Sequence, residues 1–140
     1  MARQIIPTTC LLALVLGGGC TMKDDAQSAQ TLSGVWHVDY IEGRGVIDNS
    51  PAHYQFHADN QLSGHATCNQ FSGAYSVEQG EITIGELATT RKMCPPALME
   101  QEQRLLEALK RVKRWKTDNG LMYLFDANGA ELFRGGPWNK

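Results

Sequence analysis

Apolar and polar residues alternate along most of the chain with the period of two that is typical of a β-strand with one buried face. In the first such segment, Trp36, Val38 and Tyr40 fall on one face, and polar residues fall on the other. The same alternation predicts further strands at residues 54–56, 71–77, 81–84, 115–117, 121–126 and 131–135.

Turn residues separate these segments at intervals of about 8–12 residues, which is typical of an antiparallel meander. Asn119-Gly120 and Asn128-Gly129 each lie between two alternating runs, the strongest short-range indication of a β-hairpin. The pattern therefore predicts a mostly β fold (α+β class) with a small antiparallel, barrel-like sheet.

One segment has helical periodicity instead. After two prolines, apolar residues recur at helical spacing in ALMEQEQRLLEALKRV, which predicts one amphipathic helix of about 14 residues packed on the sheet. Lys110 and Arg111 come at its end, where they suit the helix dipole. We interpret Glu100 and Glu102, near its start, as capping or solvated residues.

The first twenty residues indicate an export signal. Arg3 precedes an unbroken apolar run at residues 10–16, which is too short to span a membrane and is typical of a signal peptide. Cys20 follows three glycines and resembles the cysteine of a bacterial lipobox. We expect a lipoprotein signal peptide over residues 1–19 and acylation of Cys20, and an ordinary cleaved signal is the alternative.

The segment after the signal is polar and lacks apolar periodicity, so we interpret residues 20–31 as a flexible tether. The folded domain is then expected over residues 32–136. Thr21 directly follows the cysteine, and its resemblance to sorted lipoproteins implies a location at the periplasmic face of the outer membrane through lipidated Cys20.

The composition narrows the class of protein. Of the 140 residues, 42% are hydrophobic and 20% are charged, which excludes a disordered chain and a multi-spanning membrane protein. The net charge of −2 argues against a nucleic-acid partner.

A local cluster of basic residues stands out against this mildly acidic background. We interpret it as a solvated helix end and an outward strand face. Contact with an anionic envelope surface such as lipopolysaccharide or phospholipid is the alternative. The cluster comprises Lys110, Arg111, Lys113, Arg114 and Lys116.

Cys68 and Cys94 are the two cysteines that remain after the expected processing. In an oxidising compartment such a pair is expected to form a disulfide, worth about 3.5 kcal/mol in the chain-entropy model. Free buried thiols, or a redox or metal-binding pair, are the alternatives, although neither cysteine lies in a Cys-x-x-Cys motif.

The remaining titratable residues indicate no catalytic or metal centre. His53 and His57 would share a strand face at about 13 Å, too far apart for one metal ion. His65 and Cys68 could form a nucleophilic pair only with the thiol free. The sequence has no Gly-x-Ser-x-Gly, P-loop or dinucleotide-binding motif. We therefore expect no enzyme, metal or cofactor.

Three stretches, LSGVWHV, GHATCNQFSGAY and LATTRKMC, together resemble the META-domain family. Thr67 departs from the pattern, because the family usually has glycine before the Cys-Asn pair. The positions that match the family motifs are Leu32, Gly34, Trp36, Gly64, Cys68, Asn69, Phe71, Gly73, Tyr75, Thr90, Arg91, Met93 and Cys94.

The resemblance implies a small antiparallel, barrel-like sheet with a packed helix, in a bacterial envelope protein linked to stress tolerance. It implies no established catalytic centre, and we interpret the motif residues as structural. Gly64 and Gly73 would permit tight bends, and Phe71 and Tyr75 would share one strand face. Asn69 would satisfy backbone groups at a turn or bulge.

We therefore expect a monomeric, lipid-anchored envelope protein that acts by binding an envelope component or a protein partner. Two alternatives remain. One is a carrier of a small apolar ligand in the mouth of the barrel. The other is an enzyme that uses Cys68 or a histidine cluster.

Overall fold

A computed structural model describes residues 32–139, where ten strands and one helix form the fold. The strands are β1 (Gly34–His37), β2 (Tyr40–Ile41), β3 (Arg44–Gly45), β4 (His53–Phe56), β5 (Gln61–His65), β6 (Gln70–Glu78), β7 (Glu81–Thr89), β8 (Arg114–Asp118), β9 (Leu121–Phe125) and β10 (Glu131–Gly135), and the helix is α1 (Pro96–Arg111). The expected signal peptide (1–19), Cys20 and the tether (20–31) lie outside these described residues.

The strands form two five-stranded antiparallel sheets. The order is β1-β4-β5-β6-β7 in the first sheet and β3-β2-β10-β9-β8 in the second. Isolated backbone hydrogen bonds, such as His37 N to Gly136 O at 2.8 Å and Ile82 N to Lys113 O at 2.7 Å, connect them. The mostly β fold with one helix is confirmed, but within the described residues the strands form two sheets and not a closed barrel.

The first predicted strand is in fact divided between the two sheets. The backbone N–H of Val38 bonds to Ala52 O at 3.0 Å, whereas that of Asp39 bonds to Arg134 O at 3.0 Å. The chain thus exchanges hydrogen-bonding partners within two residues. As a result Tyr40 is 38% exposed on the second sheet, while Val38 is completely buried.

The helix packs against both sheets, contacting β7 of the first and β2 and β10 of the second. Leu105, Ala108 and Leu109 are fully buried and join a core to which both sheets contribute. The predicted amphipathic helix is confirmed, although no acidic residue lies in its first turn. Within residues 32–139, no helix is both long and apolar enough to cross a membrane.

Gly64 and Gly73 lie inside strands and not at the tight bends that we expected. A Cβ on Gly64 would lie 2.2 Å from His53 O and 2.6 Å from Phe71 Cζ, its partner in β6. A Cβ on Gly73 would lie 2.7 Å from Glu86 O, beside an irregularity in the β6–β7 register. Both glycines therefore provide room for close neighbours.

Substitution of Gly64 by alanine is expected to lower the free energy of unfolding by about 2–3 kcal/mol, because neither the backbone nor the ring can move away freely. Gly85→Ala in β7 is the matched control, since its Cβ would meet Ala74 O at 3.5 Å, an ordinary contact. We expect that control to change stability by less than about 0.5 kcal/mol. Urea unfolding measures both, and equal losses would contradict the close-packing role of Gly64.

Candidate functional site

The most specific sequence motif forms the β5–β6 corner (residues 66–69), which a carboxylate of the helix holds from inside. Glu102 Oε2 accepts hydrogen bonds from the backbone N–H of Cys68 at 3.0 Å and of Asn69 at 2.6 Å. Glu102 Oε1 accepts a third, from Asn69 Nδ2 at 2.8 Å. Glu102 is only 6% exposed, so a buried carboxylate is matched by three N–H donors.

Asn69 connects this corner to the segment that precedes the helix. Its Oδ1 accepts hydrogen bonds from Lys92 N at 2.6 Å and from Thr90 Oγ1 at 3.0 Å. Its Nδ2 also donates to Lys92 O at 3.3 Å. The amide therefore satisfies backbone groups that belong to no strand ladder.

A disulfide between Cys68 and Cys94 joins the same two segments, with 6.1 Å between the Cα atoms. The structure therefore contains a disulfide in place of the alternatives, free thiols or a metal-binding pair. Arg91 and Met93 lie on the exposed surface of the bridged segment, and Met93 is 90% exposed. Thr90 and Cys94 of this segment thus bond to the corner, whereas the side chains of Arg91 and Met93 are exposed.

Glu102 and its neighbour Gln101 are the residues that sequence reasoning missed. Glu102 was expected to be capping or solvated, yet it lies one helical turn before Leu105 on the buried stripe. Gln101 is 3% exposed, and its Nε2 donates to Thr67 Oγ1 at 2.8 Å and to Ser50 Oγ at 3.0 Å. The available signal was their place on the apolar stripe, since polar residues there must find buried partners.

Thr67 has a backbone φ of +125°, a conformation that side chains with a branched Cβ rarely adopt. This explains the glycine that the family usually has there. We expect Thr67→Gly to be more stable than Thr67→Ala by about 1 kcal/mol, because only glycine relieves the strain. Both variants lose the hydroxyl that binds Gln101, so thermal or urea unfolding isolates the strain. Higher stability of the alanine variant than of the glycine variant would contradict backbone strain at Thr67.

The other motif residues support the scaffold. Trp36 Nε1 donates to Leu32 O at 3.2 Å. The Tyr75 hydroxyl donates to His57 O at 2.6 Å, and burial, followed by the charge of Asp59, raises the pKa of this phenol. Among residues 32–139, no group of three or more His, Cys, Asp and Glu side chains is placed to hold a metal ion.

The outer face of the second sheet carries alternating cations and aromatic rings. In one cross-strand row, Lys116 is opposite Tyr123, Tyr123 is opposite Arg134, and Arg134 is opposite Tyr40. Lys116 Nζ lies 5.1 Å from the Tyr123 ring centre, and Arg134 Cζ lies 4.1 Å from that of Tyr40. We call this surface the cation–aromatic face; it consists of Tyr40, Arg114, Lys116, Tyr123, Phe125 and Arg134.

Two of the three rings on this face, Tyr123 and Phe125, are nearly parallel. Tyr123 and Phe125 lie 6.4 Å apart with an 8° angle between their planes, and Lys116 Nζ is also 6.0 Å from the Phe125 ring centre. Such cation–π contacts contribute about 0.5–1 kcal/mol each at exposed sites. Two carboxylates share this strand face: Glu131 approaches Arg134 Nε at 3.7 Å, and Asp118 follows Arg114 and Lys116 at the end of β8. The face is therefore both partly apolar and cationic.

The structure separates the five basic residues that the sequence grouped together. Arg114 and Lys116 lie on the cation–aromatic face, where an Arg114 guanidinium N–H donates to Ala127 O at 2.6 Å. Arg111 instead forms an ion pair with Glu42 beside the helix. The exposed Lys110 is on the helix and the half-buried Lys113 is in the short link to β8, so they do not share this strand face.

Comparisons with known proteins agree with this architecture. The META domain family matches residues 29–136. Heat shock protein HslJ of Escherichia coli (strain K12) is 33% identical over 102 residues, which cover 69% of this chain and 71% of that protein.

Two structures solved by NMR are also similar to this chain. One has 28% identity and a TM-score of 0.59, covering 77% of this chain and 92% of the other. The second, from Burkholderia xenovorans, has 19% identity and a TM-score of 0.63, covering 96% and 100%, and shows the fold alone. From the family match and the HslJ relationship, the chain belongs to the META domain family.

Proposed function

We propose that this protein is a non-enzymatic binding module of the bacterial envelope whose cation–aromatic face contacts anionic surfaces. Lipidated Cys20 would anchor it to the periplasmic face of the outer membrane, with residues 20–31 as the tether. The similarity to HslJ, a heat shock protein, supports a role in stress tolerance. Binding to the envelope is the activity by which we expect it to act.

The observation that carries this proposal is the row of alternating cations and rings across β8, β9, β10 and β2. Aromatic side chains favour the interface between apolar chains and water, and lysine and arginine attract lipid phosphates. Phospholipid headgroups and lipopolysaccharide share this phosphate chemistry. A face that offers both kinds of group suits such a surface better than it suits a small soluble ligand.

The polar groups of the motif region support a binding role over catalysis. Glu102 and Asn69 are buried and already hydrogen bonded to the backbone of the corner. The Cys68 sulfur is joined to Cys94 and is therefore no thiol nucleophile. The role of these polar groups and of the disulfide is therefore to stabilise the fold.

The alternative of an apolar-ligand carrier gains no support from the interior. Tyr54 packs edge-to-face on Phe56, with ring centres 5.7 Å apart, and on Phe133 at 6.0 Å. All three side chains are at most 1% exposed. These rings fill the space between the sheets that a barrel-mouth ligand would require.

Co-sedimentation with lipid vesicles tests the proposal. We expect the mature chain carrying Cys20→Ala, which removes the anchor, to bind phosphatidylglycerol vesicles more tightly than phosphatidylcholine vesicles. The double variant Arg114→Glu/Lys116→Glu is expected to lose about 10- to 100-fold in affinity, at about 1 kcal/mol per basic residue near the surface. The loss should shrink at high salt, because exposed charges are screened.

The matched control is Arg91→Glu/Lys92→Glu, which reverses two exposed cations on the segment before the helix. We expect it to bind anionic vesicles as the parent chain does. Equal losses in both double variants would indicate a response to net charge alone. That result, or equal binding to both kinds of vesicle, would refute the assignment to the cation–aromatic face.

A further inference from the structure

The outer face of the first sheet lies on the side of the molecule opposite the cation–aromatic face. It carries an uncharged groove of about 520 Å³ across β4 to β7. This volume lies in the range of small-molecule sites. None of the ten residues that line the groove is Asp, Glu, Lys or Arg. Its polar groups come mainly from His53, Ser63, His65, Gln70, Ser72 and Thr90.

Two imidazole rings form one side of this groove. His53 and His65 are directly opposite each other in β4 and β5. Their ring centres are 6.3 Å apart, and their planes differ by 27°. The Trp138 ring packs on His53, with 4.5 Å between the ring centres. It contacts His53 on the side that faces away from His65. The pair is therefore held by packing on the sheet.

Backbone hydrogen bonds fix a different tautomer in each ring. His53 Nδ1 lies 2.9 Å from Pro51 O, and because a carbonyl only accepts, this nitrogen carries the proton. His65 Nδ1 accepts from Thr67 N–H at 3.3 Å, so its proton is on Nε2. In the neutral rings, Nε2 of His53 is consequently an acceptor and Nε2 of His65 is a donor.

The neutral form of His65 is favoured by its surroundings. Burial, the neighbouring His53 and then Lys92 lower the pKa of His65, and only Glu102 opposes them. This lowered pKa favours the neutral ring, which keeps the hydrogen bond from Thr67. A complementary donor and acceptor then stand side by side in a groove that has no formal charge.

We propose that this groove binds a neutral oligosaccharide. A sugar hydroxyl both donates and accepts, so sugar hydroxyls can donate to His53 Nε2 and accept from His65 Nε2. The hydroxyls of Ser63 and Ser72 and the amide of Gln70 provide partners for further sugar hydroxyls. An anionic ligand would find no cation among the lining residues, and a metal ion at His65 Nε2 would have to displace its proton.

The proposal is independent of the cation–aromatic face, because it uses only the first sheet. NMR titration of the mature Cys20→Ala chain tests it, with chitotetraose as the neutral probe and tetragalacturonate as the anionic one. We expect saturable shifts with chitotetraose at amides in β5 and β6, and no saturable binding of tetragalacturonate. Lys116→Glu should bind chitotetraose as the parent does, even if vesicle binding is lost.

His53→Phe keeps an aromatic ring beside Trp138 but removes the Nε2 acceptor. We expect it to keep a native amide spectrum and to weaken chitotetraose binding by at least about 3-fold, the value of one neutral hydrogen bond. Long-range ¹H–¹⁵N spectra should show the proton on Nδ1 of His53 and on Nε2 of His65. The proposal is overturned by absence of saturable shifts, by full affinity in His53→Phe, or by a response to Zn²⁺ at both Nε2 atoms without one to the sugar.

Discussion

Replacement of Glu102 by alanine is expected to lower the free energy of unfolding by about 4 kcal/mol, since hydrogen bonds to charged groups are worth about 1.5–3 kcal/mol each. The substitution removes three such bonds at once. It also leaves the buried backbone N–H groups of Cys68 and Asn69 without the oxygen that accepts from them. This is a large fraction of the stability expected for a domain of this size.

Glu102→Gln separates the chemistry of the carboxylate from its volume. Its single oxygen can still accept from the corner, but its NH₂ group would face Asn69 Nδ2, which is also a donor. We expect a loss of about 2 kcal/mol. Glu100→Ala, on the exposed side of the helix, should stay within about 0.5 kcal/mol of the parent. Urea unfolding of the three variants checks this order, and a Glu102→Ala loss no larger than that of Glu100→Ala would contradict it.

Loss of the disulfide is the second change with a large expected effect. Cys68 and Cys94 are 26 residues apart in sequence, and the chain-entropy model assigns such a loop about 3.5 kcal/mol. Because Asn69 joins the same two segments and Glu102 holds the corner to the helix, we expect the reduced chain to fold still, with lower stability. The double variant Cys68→Ser/Cys94→Ser should show a similar loss.

Guanidinium unfolding with and without reductant measures this effect. The parent chain should lose about 3.5 kcal/mol on reduction, and the double serine variant should not respond to reductant. A loss below about 1 kcal/mol would indicate that the hydrogen bonds of the corner hold the segments together without the bond. A serine variant that remained as sensitive to reductant as the parent would place the effect at another cysteine.

The corner also connects stability to the groove, because its two ends continue into groove residues. His65 precedes the corner and Gln70 follows it, and both line the groove. Variants that loosen the corner are therefore expected to disturb the groove. The cation–aromatic face, which lies on the other sheet, should be affected less.

The strands with one buried face could be predicted from the sequence because burial leaves a period-two pattern. Tyr54 and Phe56 in β4 and Leu124 in β9 are examples, and each is buried as the alternation predicts. The division of the first strand after His37 could not be predicted in this way. It depends on a hydrogen bond from Asp39 to Arg134, which is distant in sequence.

The corner and the cation–aromatic face could not be predicted for the same reason, because their contacts join residues that are distant in sequence. Glu102 was interpreted as a capping or solvated residue because it lies near the start of the helix, and its partners, Cys68 and Asn69, lie in a corner far along the chain. The five basic residues were grouped because they are close in sequence, but the helix end and β8 direct them to different surfaces. The rings that accompany Lys116 come from β9 and, further along the same face, from β2.

Paramagnetic mapping of the bicelle-bound protein identifies the surface that contacts the lipid. Spin-labelled phosphatidylglycerol in anionic bicelles broadens the NMR signals of residues at the lipid surface. If the cation–aromatic face is the contact surface, the signals of Lys116, Tyr123 and Phe125 will broaden strongly, and those of Ser63 and Ser72 on the first sheet will stay sharp. Broadening centred on the first sheet, or spread evenly over both sheets, would contradict lipid contact through the cation–aromatic face.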